Sequence, residues 1–392
     1  MKEPIWTKTF IALFFTNVST FLVFYGLVSA LPLYAVGVLQ RTDDEAGLLL
    51  SIFLLSAIIV RPFTGKILDH FGKRKMLWMS LILYLLCTVL YYFVTPFGIL
   101  LGLRFFQGIW FSIITTACVS IVADIVPKAR RGAGIGYFNM SANVAIVLGP
   151  FIALIILQYF SFEVLFLVLS GLMLFGSLSA LVVPNHQVQE VEVKRFKITF
   201  ADLFERNAIP SALLSSLIAF SYSGILSYIT IYAQEKNVLD WVSIFYFALA
   251  AVMLITRPYT GRVYDEKGAK FVVIPGLISF ALGLLILSYI GSGFGFIIAG
   301  AFIGLGYGAV VPSMQTIAVQ SSDINRSGYA TATFFTFFDI GISIGSYILG
   351  IIALQLGYRS MYLTTVAGIL LALICYILFK QKDRSIQKVT GK

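Results

Sequence analysis

Charge is scarce in this sequence. Of 392 residues only 12% are Asp, Glu, Lys or Arg, about half the share a soluble domain carries to clothe its surface. A water-soluble globule is excluded on that count. Histidine and cysteine are scarcer still. His70 and His186 lie far apart, and Cys87, Cys118 and Cys375 sit singly within apolar runs. Neither set has metal-ligand or redox spacing, so no metal site, no cofactor and no disulfide framework is expected. The chain also lacks a GxxxxGK[ST] phosphate loop and an HExxH pair, so ATP does not drive it directly. Nothing makes the case for an enzyme. The net charge of +10 is scattered among short loops, which gives nucleic acid no patch to bind.

Apolar residues are what the chain has in excess: 59% are hydrophobic, 15% are aromatic, and mean hydropathy is +0.93. They come in blocks of about 18 residues or more, the length of a transmembrane helix. Breaks between the blocks place twelve spans near 9–39, 46–64, 75–95, 98–122, 134–158, 163–183, 208–234, 241–260, 271–291, 294–319, 328–355 and 360–379. With a cytoplasmic N-terminus, only Arg41, Lys236 and Arg359 fall in outer loops and Arg104 falls inside a span. The other basic residues are expected on or near the cytoplasmic side, as the positive-inside rule requires. Val28-Ser29-Ala30 resembles a signal-peptidase site, but Pro32 follows and the stretch has a counterpart in the second half, so the segment is expected to be retained. The expected fold is an all-α membrane protein with both termini cytoplasmic.

The halves repeat. Residues 186–207 form a polar interval, expected to be a cytoplasmic linker between a first six-helix bundle (1–185) and a second bundle with a short tail (208–392). A shift of 196 residues lays Arg61-Pro62-Phe63-Thr64-Gly65 on Arg257-Pro258-Tyr259-Thr260-Gly261, and pairs Asp69 with Asp265, Gly72 with Gly268, Gly108 with Gly304 and Gly149 with Gly345. A shift of 198 pairs Gly26 with Gly224 and Tyr34-Ala35 with Tyr232-Ala233. Two parallel six-helix repeats are a transporter plan, with substrate bound near the midplane between them.

The segment Gly65-Lys-Ile-Leu-Asp69-His-Phe-Gly72-Lys-Arg74-Lys75, with a looser copy at Gly261, Asp265 and Gly268, resembles the signature loop of the major facilitator superfamily. Arg104-Phe-Phe-Gln107-Gly108 resembles that family's RxxQG motif, and Gly149-Pro150 its exporter motif in the fifth span. Asp124 with Arg130-Arg131-Gly132, echoed by Asp323 and Arg326-Ser327-Gly328, is similar to its span ends. The resemblance covers the whole chain and points to the twelve-span drug:proton antiporter branch. It implies a conformational latch at Gly65, Asp69, Gly72, Arg74, Asp124 and Arg131, with Gly261, Asp265 and Gly268 as the second copy. It also implies proton coupling at Arg104 and a monomer in the cell membrane. Other roles stay open: lipid anchoring for Lys73, Arg74 and Lys75, snorkelling for Arg104, and a plain kink for Pro150.

Asp339 is the only acid deep within a span, about eleven residues into the eleventh. Desolvation favours its neutral form, which suits a group that takes up and releases a proton in each cycle; a packing role is the alternative. The family plan puts Asn17, Tyr25, Gln107, Asn139, Asn143, Tyr222, Tyr228 and Gln315 at a substrate cavity. Aromatic faces with scattered amides suit an amphipathic or cationic small molecule. The expected function is proton-coupled export of such a molecule. Proton-coupled uptake of a sugar or metabolite, a flippase for a lipid or lipid-linked glycan, and a metallophore exporter are the alternatives. The expected partners are the substrate, protons and the lipid bilayer.

Overall fold

A computed structural model describes residues 4–41, 43–183, 203–238, 241–323 and 326–390. Much of the predicted linker (residues 186–202), with its charges from Glu190 to Asp202, lies outside the described residues. Every regular element among them is helical: α1 (Lys8–Gly37), α2 (Asp43–Phe71), α3 (Lys73–Leu90), α4 (Phe97–Ile125), α5 (Arg131–Tyr159), α6 (Phe162–Ser179), α7 (Ile209–Glu235), α8 (Val242–Lys267), α9 (Lys270–Ser288), α10 (Gly293–Gln320) and α11 (Ser327–Thr390). A helix pairs its backbone N–H and C=O groups within one segment, which is what a hydrocarbon solvent demands of a spanning chain.

Among the described residues ten helices are long and apolar enough to cross a membrane, where the sequence predicts twelve spans. Two physical features make the difference. The 18-residue α3 opens on Lys73, Arg74 and Lys75, so no full apolar window fits inside it. The 64 residues of α11 run on through the last two predicted spans. As one straight helix they would reach ~96 Å, three times the hydrocarbon thickness of a bilayer. They are two helices merged across a kink at Gly357, whose φ of 79° and ψ of 164° are not helical.

The chain packs as two compact units. The first comprises Met1–Asn207 with Val319–Thr336, and the second Ala208–Ala318 with Phe337–Lys392. In the first, α1 lies against α5 and α6, and α4 against α2 and α3. Phe10, Phe53, Tyr84, Phe111 and Phe138 fill its core. In the second, α8 packs against α7 and α9.

Glycines set the closest helix approaches, and they do so twice. A Cβ on Gly108 would overlap the Phe53 carbonyl, and one on Gly304 would overlap the Leu249 carbonyl. Those two partners are themselves 196 residues apart. Likewise Gly149 meets Leu22 and Tyr25 of α1, while Gly345 meets Phe220 and Ser223 of α7, each pair related by the shift of 198. The sequence repeat is thus a repeat of packing. Gly72 (φ 87°) and Gly268 (φ 90°) likewise turn the chain at matching places, in a backbone region L-residues rarely adopt. Large apolar side chains such as Ile255, Phe294 and Leu354 are exposed, as expected of a multi-pass membrane protein whose outer faces meet lipid tails.

Candidate functional site

Three groups of polar side chains stand out against the apolar background. The first gathers where α2 and α4 end. Lys73 Nζ donates to Asp124 Oδ2 at 2.5 Å and to Ser327 Oγ at 2.7 Å. Ser327 Oγ in turn donates to Asp124 Oδ1 at 2.8 Å and lies 3.1 Å from Ser120 Oγ. One turn further up α2, Asp69 Oδ2 accepts a hydrogen bond from Tyr329 OH at 3.1 Å. Gly65 is obligatory there, because a Cβ would fall 2.8 Å from Tyr329 Cα. Arg131 Nε donates to the Ala123 carbonyl at 2.9 Å, satisfying a group the C-terminus of α4 leaves open.

Gly65, Asp69 and Asp124 are therefore brought together, with Gly72 as the turn and Arg131 alongside. Arg74 is not part of the set: among the described residues it makes no hydrogen bond or ion pair, and its neighbour Lys73 is the cation at Asp124. Adjacent helical residues point about 100° apart, so only one of the two reaches. In the second unit Gly261 is buried, Asp265 is half-buried near the end of α8, and Gly268 follows that end. Ser327 stood in the sequence only as a member of the Arg326-Ser327-Gly328 echo. Its bond to Asp124, 203 residues away, and the part of Tyr329 were missed, because no spacing links a hydroxyl to so distant a partner.

The second group surrounds Arg104, which is 1% exposed. Its Nε donates to the Leu49 carbonyl at 3.1 Å and its Nη1 to Gln107 Oε1 at 3.0 Å. The guanidinium lies 4.6 Å from the centroid of the Phe53 ring. Gln107 Oε1 also accepts from Tyr91 OH at 2.8 Å, while Gln107 Nε2 donates to Thr88 Oγ1 at 3.4 Å. This arginine does not snorkel. It is held by neutral acceptors and a ring face among α2, α3 and α4, and Gln107 is enclosed with it.

Two more arginines, expected near the cytoplasmic side, are buried inside helices. Arg61 (4% exposed) donates to Thr115 Oγ1 at 3.3 Å and lies 4.7 Å from the Phe335 ring centroid. Its repeat partner Arg257 (3% exposed) donates to the Gly308 carbonyl. A signal was present: the repeated RPxTG places both arginines ten residues before the ends of α2 and α8.

The third group is the set of predicted cavity residues, each placed within its own unit. Asn17 is buried, and its Nδ2 donates to Ser141 Oγ at 2.7 Å while Oδ1 has no partner among the described residues. Half-buried Tyr25 belongs to an aromatic cluster with Phe21, Phe24, Phe53 and Phe111. Asn139 and Asn143 are half-buried on α5. In the second unit Tyr222 stacks on Tyr307 at 3.9 Å, Tyr228 OH donates to the Ser346 carbonyl at 2.6 Å, and Gln315 is buried. Asp339 is half-buried on α11 and belongs to the second unit, whereas Arg104 belongs to the first. Gly149 lets α5 approach α1, with Pro150 inside the same helix.

Comparison with known proteins gives a consistent result. The family model described as Major Facilitator Superfamily matches residues 13–271 and 241–392. An uncharacterized MFS-type transporter of Methanocaldococcus jannaschii is 26% identical over 375 residues, covering 92% of this chain and 96% of that protein. Multidrug resistance protein MdtG of Klebsiella pneumoniae is 24% identical over 378 residues, covering 93% and 90%. MdtG of Escherichia coli is 24% identical over 399 residues, covering 98% and 97%. The crystal structure of the human organic anion transporter MFSD10 (TETRAN) matches with a TM-score of 0.82 over 95% of this chain and all of that one. Its 15% identity makes that likeness one of fold.

Proposed function

Because the chain belongs to the Major Facilitator Superfamily, whose members bind small-molecule substrates, we propose that it is a secondary active transporter that exports a small amphipathic organic molecule in exchange for protons. It works by alternating access. The spans number twelve: α1–α6 form one bundle, and α7–α10 with the two segments of α11 form the other. The protein sits in the cell membrane as a monomer with both termini in the cytoplasm. Export is supported by the two MdtG proteins, whose names describe multidrug resistance, and by the Gly149-Pro150 step in α5.

The observation that carries this reading is the set joining Lys73, Asp124, Ser327, Tyr329 and Asp69. It ties the first turn of α11 to the ends of α2 and α4 through a few polar contacts, at least one of them partly solvated. Such contacts form and break at low cost, as a latch with two states must. Asp339 exchanges the proton, and Arg104 supplies a fixed positive charge. Asn17, Tyr25, Gln107, Asn139, Asn143, Tyr222, Tyr228 and Gln315 contribute to substrate binding directly or by holding the residues that do.

Proteoliposomes carrying an interior pH dye test the reading. Addition of an amphipathic organic cation is expected to move protons, while a sugar and a lipid-linked glycan leave the dye unchanged. Proton movement with the sugar alone, or with none of the three, overturns it.

A further inference from the structure

A second chain of contacts runs from the end of the polar interval to the same tyrosine that bonds Asp69. Glu205 is 6% exposed, and a carboxylate that buried is retained only where it is paired. Its partner is Arg326, whose Nε donates to Glu205 Oε2. The Glu205 backbone N–H donates to Thr333 Oγ1 at 2.8 Å, and Ser321 Oγ donates to the Asn207 carbonyl at 3.0 Å. Residues 205–207 are thus fastened at three points to residues 321–333. The Arg326 guanidinium also lies 4.4 Å from the centroid of the Tyr329 ring. It is held between a carboxylate and an aromatic face, the two surfaces a planar, weakly hydrated cation matches best. Tyr329 then passes the connection to Asp69 through its hydroxyl.

All of these residues belong to the first unit, and the chain leaves that unit at Asn207, two residues after Glu205. The clamp therefore sits at the covalent entry to α7. We infer that Glu205 and Arg326 are positioning residues of the latch: their ion pair holds the Tyr329 ring over the signature loop and must release before the first turn of α11 leaves α2 and α4. The inference rests on the transporter reading above and adds to it a part for the linker, which neither the signature loop nor its second copy contains. Tyr329 is the shared member. Loosening Arg326 lets the ring swing, and the Asp69 bond then competes with water. Lys73, Asp124 and Ser327 form the other limb, so the two limbs fail together only if they report one opening event.

The test uses the full chain with Cys87, Cys118 and Cys375 replaced by alanine and with Ser120→Cys. Position 120 is fully buried beside Ser327 and meets solvent when the first turn of α11 lifts away. The readout is the rate of maleimide labelling in detergent, without substrate or pH gradient. Glu205→Gln and Arg326→Gln are each expected to raise that rate about fivefold, the scale of one charge-assisted contact. The two together are expected to do no more than either alone. Arg326→Lys, which keeps a cation between Glu205 and the Tyr329 ring, should stay within about twofold of the starting chain. Thr333→Val, which removes only the bond to the Glu205 N–H, should give a smaller rise and serves if Glu205→Gln fails to fold. Labelling at the starting rate in the single variants, or a double variant whose rise is the product of the two singles, overturns the inference. So does unchanged turnover of a transported substrate in a variant whose labelling has risen. Because no substrate enters the labelling assay, a chain that passes it yet moves protons with nothing leaves the clamp standing and overturns the transport reading instead.

Discussion

Lys73 reaches Asp124 at 2.5 Å although the pair is partly exposed, at 22% and 36% of their side-chain surfaces. Solvent screening at that exposure leaves such a pair worth no more than about 1 kcal/mol by itself. Its value lies in what shares it. Ser327 accepts from Lys73 and donates to Asp124, so three groups close only when the start of α11 is in place. Weak contacts that act together form and break as a unit, which suits a step that a carrier must repeat in every cycle.

Asp69 should therefore matter to cycling more than to affinity. Asp69→Asn removes the charge and Tyr329→Phe removes the donor of their shared bond. Both variants are expected to slow transport while equilibrium substrate binding stays within a few-fold. Flux into proteoliposomes and calorimetric binding on the same preparations check this. Binding lost with turnover intact would place Asp69 in the substrate site.

Packing makes a sharper prediction about stability. Gly108 faces the Phe53 carbonyl and Ser56 Oγ so closely that an added methyl must overlap them, whereas Gly102 has nothing within 4 Å. Gly108→Ala should cost about 1–3 kcal/mol through overpacking and lower the Tm of the purified protein by several degrees. Gly304→Ala, against the Leu249 carbonyl, should behave alike. Gly102→Ala should be neutral or stabilising, since alanine is the better helix former. Equal Tm values for Gly108→Ala and Gly102→Ala would show that α2 and α4 are not packed as described.

Orientation is open to a direct check. Cysteines replacing Asp43 and Lys236 should react with an impermeant reagent from outside intact cells, and those replacing Lys194 and Lys382 only after the membrane is breached. The twelve spans read from the sequence put both termini on one side, and the bias of Lys and Arg makes that side the cytoplasm. Labelling at position 194 from outside would overturn the topology.

What was legible in the sequence was whatever recurs at a fixed interval. Gly65, Asp69 and Gly72 stand at the spacing of a known loop, and the offset of 196 residues paired Gly108 with Gly304, which the structure shows against Phe53 and Leu249, themselves 196 apart. Partnerships between distant residues were not legible. Glu205 and Arg326 lie 121 residues apart; the echo around Asp323 marks Arg326, but nothing in the sequence joins it to Glu205. Burial misled in one direction. Arg61 and Arg257 sit near the ends of hydropathy blocks, but α2 and α8 continue ten residues beyond them, which carries both charges inside. Gln107 was expected at the cavity for its amide, yet that amide bridges Arg104, Tyr91 and Thr88. A polar side chain in a membrane helix answers first to the nearest unmet donor.

Asp339 carries the last prediction. It is the only acid deep within a predicted span, and its side chain is half-buried rather than enclosed. Removing a carboxylate from water costs several kcal/mol when it is ionised. A site that closes over Asp339 therefore favours the neutral form, and a site that opens to water, or presents a cation, restores the charge. Arg104 is held by Leu49, Gln107 and Phe53 in the first unit. The proposed exchange of substrate for protons then predicts that the two compete through the charge Asp339 sets. Asp339→Asn should abolish uphill transport driven by a pH gradient, retain downhill exchange, and flatten the pH dependence of substrate binding. The sign follows from the chemistry: an ionised Asp339 attracts a cationic substrate, so binding by the unaltered protein should strengthen as pH rises through the titration of that group and should not do so in the variant. If the Asn variant still concentrates substrate on a proton gradient alone, Asp339 is a packing residue and the proton is carried elsewhere.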